Sequence, residues 1–406
     1  MSDPTESAVD PEQIRRIYLD HAASTPVEPA VREAMEPFWS DSFGNQGAIH
    51  SEGQAAKAAI EGARERVATA LGGHPDEVTF TGSGTEANNL AIFGVAEAVC
   101  AQLDTTLPHL HLITSQVEHS SVLDCFKHLE EQGAQVTYLP VDTEGWVDPR
   151  ELAAALRDDT VLVSLMYVNS EIGNHYPLAA FADVIRAHRR EARAYPLAFH
   201  TDASQGPTYF ATNVEALGVD LLTIDAQKMY GPKGIGALYH RRGTPLAPQL
   251  FGGGQEKGMR PGTPATPLIA GLAASLELVA QRREAEAARL TALRDTFIAD
   301  VEARVPAASL NGPRTDRSPN NVSFSFPGFD AEELVLRLDA KGIAVSTKSV
   351  CRGTQGSSHV IAALGKGQEH ATSMLRFSLG HSTTQEDLTR TVEALAEVVE
   401  RQLSSR

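Results

Sequence analysis

Between about residues 75 and 240 the chain alternates short, β-rich apolar runs with amphipathic stretches. The runs are EVTFTG, HLHLITS, QVTYLPV, TVLVSLMYV, LAFHTD, DLLTID and GIGALYHR. Intervening segments such as DPRELAAALRDD and PLAAFADVIRAHRREARA repeat their apolar positions at helical spacing. Strands separated by helices predict βαβ units, hence an α/β fold whose central sheet is mostly parallel and flanked by helices. Ligands of such sheets bind beyond the carboxyl ends of the strands, which tells where chemistry should be sought.

A Gly/Pro-rich passage, FGGGQEKGMRPGTPATP, closes this region, and a long helical pattern ending in TFIADVEARV leads away from it. The strands NVSFSF, GIAVST and MLRFSLG, with the helices AEELVLRLDAKG and QEDLTRTVEALAEVVERQL, predict a smaller α+β domain. The expected division is an N-terminal segment 1–28 that joins the small domain, a large ligand-binding domain 29–268 and a small C-terminal domain 269–406. A chain of 406 residues suits about two to three domains, and it shows neither an internal repeat nor a low-complexity tract.

Composition narrows the classes of function. Hydrophobic residues at 42% and charged residues at 21% are ordinary for a globular chain. The formal net charge of -17 disfavours nucleic acid and anionic membrane as partners, and the acidity reads as a solubility feature. No apolar run approaches the roughly 20 residues of a bilayer span. The polar, acidic start MSDPTESAVDPEQIRR lacks the pattern of a secretory signal and reads as a disordered lead-in. Cys100, Cys125 and Cys351 are few, distant and odd in number, so a reducing cytoplasm is expected. No CxxC or HExxH motif points to a metal. His109 and His111 fall on one face of an expected strand and read as structural.

Three segments carry candidate chemistry. EVTFTGSGTEANNLAIFGVAEAV reads as strand, glycine turn and helix, with Gly82 and Gly84 in the turn and Thr85 near the first helical turn. The unbonded N–H groups and positive dipole end of such a helix suit a phosphate. The absence of a Lys-Ser/Thr pair rules out a Walker A loop, and Glu86-Ala87 stands where a dinucleotide fingerprint needs its third glycine. Taken alone, an ordinary helix-start turn explains the segment about as well. Asp202 follows the strand LAFHTD, where an acid is either a helix cap or a partner for a protonated pyridine nitrogen. Lys228 follows the strand DLLTID, where desolvation and neighbouring cations favour the neutral, imine-forming amine.

Beyond these, YLDHAASTP, FGN, TGSGTEANNLAI, VEHSSVLD, VNSEIG, DASQ, QKMYGPKGIGALY, GGGQEKGMRPGT and LRFSLG occur in the order seen in cysteine desulfurases. By these motifs the chain resembles that family, which consists of fold-type I pyridoxal 5'-phosphate (PLP) enzymes of the class V aminotransferase superfamily. The likeness runs from Tyr18 to the last helix. It implies that Lys228 carries PLP as an imine and shuttles the Cα proton, and that His119 stacks on the pyridine ring. Asp202 would bind the ring nitrogen, Gln205 the phenolic oxygen, and Gly84 and Thr85 the phosphate. Thr263 would reach the phosphate of a partner subunit, which implies a homodimer. Asn169 and Arg376 would hold the substrate carboxylate, a task that suits the rigid fork of arginine. Cys351 aligns with the nucleophile that takes the sulfur as a persulfide, and the polar loop around it, with Lys348 and Arg352, favours a thiolate.

Three positions depart from the family pattern. Gln227 stands where His usually precedes the lysine, and its amide can still donate to a phosphate. Asp225 replaces a phosphate-binding Ser, and STKSVC replaces SSGSAC around the nucleophile. A bare carboxylate beside a phosphate is repulsive, so Asp225 is expected to turn away, cap a backbone N–H or pair with a cation. The implied activity is conversion of L-cysteine to L-alanine, with sulfur passed through Cys351 to an acceptor protein or small thiol. The alternative is a related PLP-dependent C–S or selenocysteine lyase, or an aminotransferase. A catalytically silent scaffold would have no use for Lys228, Asp202, His119 and Arg376 together.

Overall fold

The computed structural model describes residues 15–191, 195–347 and 357–404. The first strand, β1 (Ile17–Tyr18), belongs with the C-terminal part of the chain, and the next seven build the central sheet. These are β2 (Val78–Thr81), β3 (His111–Ser115), β4 (Gln135–Leu139), β5 (Thr160–Ser164), β6 (Ala198–Asp202), β7 (Leu221–Asp225) and β8 (Gly236–His240). Their order is β2-β8-β7-β6-β5-β3-β4, and only β8 runs against its neighbours. Every residue of β3, β5 and β7 is buried, which is why these strands read as continuous apolar runs rather than as alternating ones.

Helices cover both faces. On one side Ser51–Leu71, Leu178–Glu191 and the first half of Thr266–Arg304 enclose a core with Val67, Phe181, Ile224 and Leu272. On the other, Gly84–Leu103 and Ser120–Glu131 pack Ile92, Val95 and Phe126 against Leu112 and Leu162. The 39-residue helix Thr266–Arg304 then leaves the sheet, and its second half contributes Leu290, Phe297 and Val301 to a separate core. That core is built on β9 (Ser309–Leu310), β10 (Asn321–Ser325) and β12 (Met374–Ser378), an antiparallel sheet in the order β12-β10-β9. Between them in sequence, β11 (Ile343–Ala344) pairs in parallel with β1, so Ile17 and Leu19 are buried in the small core.

The structure corrects three local readings. His109 lies in a short turn of helix before β3 and not on the strand with His111, because Pro108 fixes that turn. His111 itself is fully buried between the hydroxyls of Thr160 and Thr137, each 2.8 Å away, a structural role as expected. GIAVST supplies only the two strand residues of β11, and TVLVSLMYV leaves strand geometry after Ser164.

The glycine turn depends on another glycine behind it. A Cβ added to Gly236, the first residue of β8, would lie 2.6 Å from the carbonyl carbon of Ser83 and 2.9 Å from the Gly84 nitrogen. Both are backbone atoms, so a rotamer change cannot relieve the contact. Gly236→Ala is therefore expected to lower stability by about 1–3 kcal/mol. Gly62→Ala, in a helix with open space around it, is expected instead to stabilise by about 0.5–1 kcal/mol. Urea unfolding of the two variants checks this contrast. Equal midpoints would show that the turn absorbs the methyl group.

Candidate active site

Asp202 ends β6 and Asp225 ends β7, and the strands are parallel neighbours with Asp202 opposite Thr223. The turn after β7 carries Lys228 back to the same edge of the sheet. Both open into a cleft that is also lined by Arg376 and His359, from the C-terminal part of the chain. The lysine amine donates to the carbonyls of Ala22 at 3.0 Å and Ala23 at 2.5 Å, so the N-terminal YLDHAAS motif forms the seat of the amine. Gln205 reaches the same seat, its side-chain amide donating to Ala22 O at 2.9 Å.

Asp202 is held by two donors. The Ser204 N–H reaches its Oδ1 at 2.9 Å, and Asn88 Nδ2 reaches its Oδ2 at 2.8 Å. The same Asn88 amide donates to Ser121 Oγ at 2.8 Å, and Ser121 in turn meets His119 Nδ1 at 2.8 Å. One buried asparagine thus links the carboxylate to the histidine. The Ser121 N–H also donates to His119 Nδ1 at 3.2 Å, which places the proton of the neutral ring on Nε2. Beneath Asp202, burial pulls His200 down to about 4 and keeps it neutral between Ser164 and Thr223.

At the glycine turn Ser83 caps the helix Gly84–Leu103 by accepting from the Glu86 N–H at 3.1 Å. Gly84 and Thr85 line the cleft at this helix start. Opposite them stands Asp225, 7% exposed, capping the Gln227 N–H as expected of it. Gln227 lines the cleft beside it, with its amide turned onto the Asp225 carboxylate at 3.1 Å.

Arg376, on β12, is 2% exposed and pairs with Asp20 at 2.9 Å, while its Nη1 donates to Ser170 O at 3.3 Å. Its Nε has no partner among the described residues. Asn169 lines the same wall, its Nδ2 donating to Val117 O and its Oδ1 accepting the N–H groups of Glu171 and Ile172. That side chain therefore shapes the loop around it, with one amide hydrogen engaged and one left over. Thr263 is exposed in the Gly/Pro-rich passage and does not enter the cleft of its own chain. Cys351, with Lys348 and Arg352, lies outside the described residues. Cys125 is buried with its thiol pushed up to about 12, and Cys100 is half-buried on a helix, so both behave as packing residues.

With this geometry in place, comparisons with known proteins agree on one assignment. The model of the family described as aminotransferase class-V matches residues 17–391. A cysteine desulfurase IscS of Dictyoglomus turgidum is 45% identical over 388 residues, covering 95% of this chain and 95% of its own. A solved NifS-like protein superposes with a TM-score of 0.87 at 32% identity, covering 95% of this chain and all of its own at 100%. A structure described as SspA in complex with cysteine gives 0.75 at 34% identity, over 89% of this chain and 98% of that one. The chain belongs to the cysteine desulfurase family of class V aminotransferases. It is accordingly a PLP-dependent enzyme, and the desulfurase relatives favour sulfur removal over the lyase and aminotransferase alternatives.

The cleft fits the cofactor in its chemistry: an amine, a fixed carboxylate, an imidazole and a helix start all line it. Four residues of this arrangement had no role assigned from sequence: Asn88, Ser121, Glu118 and Asp20. All four sit inside motifs quoted above, Asp20 in YLDHAASTP, Asn88 in TGSGTEANNLAI, and Glu118 and Ser121 in VEHSSVLD, which was the available signal.

Glu118 is wholly buried on the cleft wall. Its Oε1 accepts from Ser115 Oγ at 2.7 Å and from the Met166 N–H at 3.0 Å, while Oε2 has no partner among the described residues. Burial pushes its carboxyl from about 4.5 up to about 8. The folded chain then keeps a proton that the unfolded chain has lost, so stability falls as pH rises between those two values and is level above them. Glu118→Gln stays neutral throughout and lacks this decline. The Tm of the wild type minus that of Glu118→Gln is expected to drop steadily between about pH 4.5 and 8. A pH-independent difference would show that Glu118 is ionised in the fold.

Proposed function

We propose that this chain desulfurates L-cysteine, releasing L-alanine and passing the sulfur through Cys351 to an acceptor protein or small thiol. The observation that carries the reading is the convergence of Lys228 and Asp202, from neighbouring strands, on one cleft that Arg376 also lines. When bound, PLP supplies an electron sink for the bonds around the substrate's α-carbon.

The remaining work falls to the chain. Lys228 holds the cofactor covalently and then moves the Cα proton, its amine kept in position by the Ala22 and Ala23 carbonyls. Asp202, oriented by Ser204 and Asn88, supplies the fixed anion that keeps the ring nitrogen protonated. His119 covers the ring, and Gln205 serves the phenolic oxygen from the same seat as the lysine. Gly84, Thr85 and Gln227 meet the phosphate. Arg376 takes the substrate carboxylate through the guanidinium edge that includes its unpartnered Nε, with Asn169 offering its remaining amide hydrogen. The Cys351 thiolate attacks the substrate sulfur, the C–S bond breaks, and cysteine plus a thiol become alanine plus a persulfide.

Two further features belong to the same proposal. The protein acts as a homodimer, in which Thr263 completes the phosphate site of the other subunit. In support, Phe43, Ile49 and Phe251 are large apolar side chains 70%, 95% and 86% exposed, and a second copy would cover them. The chain would divide into a large lobe, 29–268, and a small lobe, 269–406, with the first half of the helix Thr266–Arg304 packed back on the large core and the N-terminal segment joined to the small one through β1 and Leu19. The described residues contain no helix long and apolar enough to cross a membrane, and the sparse cysteines support a cytoplasmic location.

The test is incubation with L-cysteine and a dithiol reductant while alanine and sulfide are measured. Equal amounts of the two products are expected. Cys351→Ser should keep the cofactor's visible absorbance and lose more than about 100-fold of both products, because a hydroxyl stays protonated and is a poor nucleophile toward sulfur. Wild-type rates in Cys351→Ser would remove Cys351 from the reaction, and sulfide without alanine would point to a lyase.

A further inference from the structure

The phosphate end of the cleft already holds an anion. Asp225 Oδ2 accepts from the Gly84 N–H at 3.3 Å and from Gln227 Nε2 at 3.1 Å, and its Oδ1 accepts from the Gln227 N–H at 3.3 Å. The packing is close: a Cβ on Gly84 would lie 3.1 Å from the Asp225 Cβ and 3.0 Å from Ser204 Oγ. A helix-start N–H and a neighbouring side-chain amide are the groups with which such a turn receives a phosphate. Here a carboxylate of the chain itself is hydrogen-bonded to both. No cation among the described residues forms an ion pair with Asp225; Arg376 is paired with Asp20, and Arg260, behind the turn, with Glu86.

We propose that Asp225 is a built-in competitor for the phosphate donors, so that the enzyme holds the phosphate of PLP more weakly than its donor set allows. The inference rests on the PLP-dependent reading of the site and concerns only how this chain treats the phosphate. A phosphate entering the turn must take over the Gly84 N–H and the Gln227 amide from the carboxylate, and it must then sit beside that negative charge in a half-dry pocket. Both effects oppose binding of the phosphate and neither touches the ring, the lysine or Asp202. The enzyme should therefore discriminate less than it could between PLP and pyridoxal, the same aldehyde without the phosphate. Loading with cofactor becomes readily reversible as a result.

The experiment titrates the apoprotein with PLP and, separately, with pyridoxal, reading the visible absorbance that each develops on the protein. Wild type is compared with Asp225→Asn, which keeps the shape and removes the charge, and with Asp225→Ser. The expected result is a PLP affinity at least about tenfold higher in both variants, with pyridoxal affinity changed less than about threefold. Inorganic phosphate, used as a competitor of PLP, should likewise inhibit at lower concentration in Asp225→Asn than in wild type. The ratio of the two affinities is internal to each variant, so a general loss of stability cancels from it. An unchanged or lower PLP-to-pyridoxal ratio in both variants would overturn the role of Asp225 alone. Failure of either compound to develop absorbance on the wild type would overturn the cofactor assignment and this inference with it.

Discussion

The site depends on the parallel pairing of β6 and β7. Backbone hydrogen bonds hold the two strands in a register that sets Asp202 opposite Thr223, and both strands end at the same edge of the sheet. The Asp202 carboxylate, proposed to serve the ring nitrogen, and the turn bearing Lys228 are thus delivered side by side by main-chain geometry. Side-chain freedom contributes little, because Asp202 is pinned by Ser204 and Asn88 and the lysine amine by two carbonyls. A pair of groups placed by a buried sheet stays in position when the cofactor is absent, so the site is organised in advance of binding.

Around that pair the protein buries charge and satisfies most of it with specific partners. Arg376 would be costly in the small-lobe sheet without Asp20, and Asp20 is fixed by the short N-terminal strand that pairs with β11. The N-terminal segment therefore has two functions: it closes the small core through Ile17 and Leu19, and it brings a counter-ion and the Ala22 and Ala23 carbonyls to the cleft. Burial also neutralises groups that would be charged in water. His21, packed against Tyr18 and Tyr230, is driven down to about 4, and Glu118 up to about 8. The cleft is then a place where fixed charges are few and each has an assigned direction.

Lys228, Asp202 and the glycine turn were legible in the sequence because each follows a strand that announces itself by its apolar run. The α/β architecture with its mostly parallel sheet was legible for the same reason, since a parallel sheet needs helices between its strands. Asn88, Ser121 and Asp20 were not legible as site residues, because their roles arise from contacts spanning up to 356 positions in the chain. The Asn169 amide looked available from its motif, yet the structure uses one of its hydrogens and its oxygen to shape a loop. Asp225 is an electrostatic anomaly in the sequence, and only the fold brings it to the Gly84 N–H and the Gln227 amide.

The claim on which the rest stands is that the cofactor is attached at Lys228. Reduction of the PLP-loaded protein with borohydride, followed by proteolysis and mass spectrometry, locates the attachment directly. A phosphopyridoxyl group is expected on Lys228, at close to one per chain, with Lys233 five residues further on unmodified. A label on Lys233 or on another lysine, with Lys228 unmodified, would contradict it.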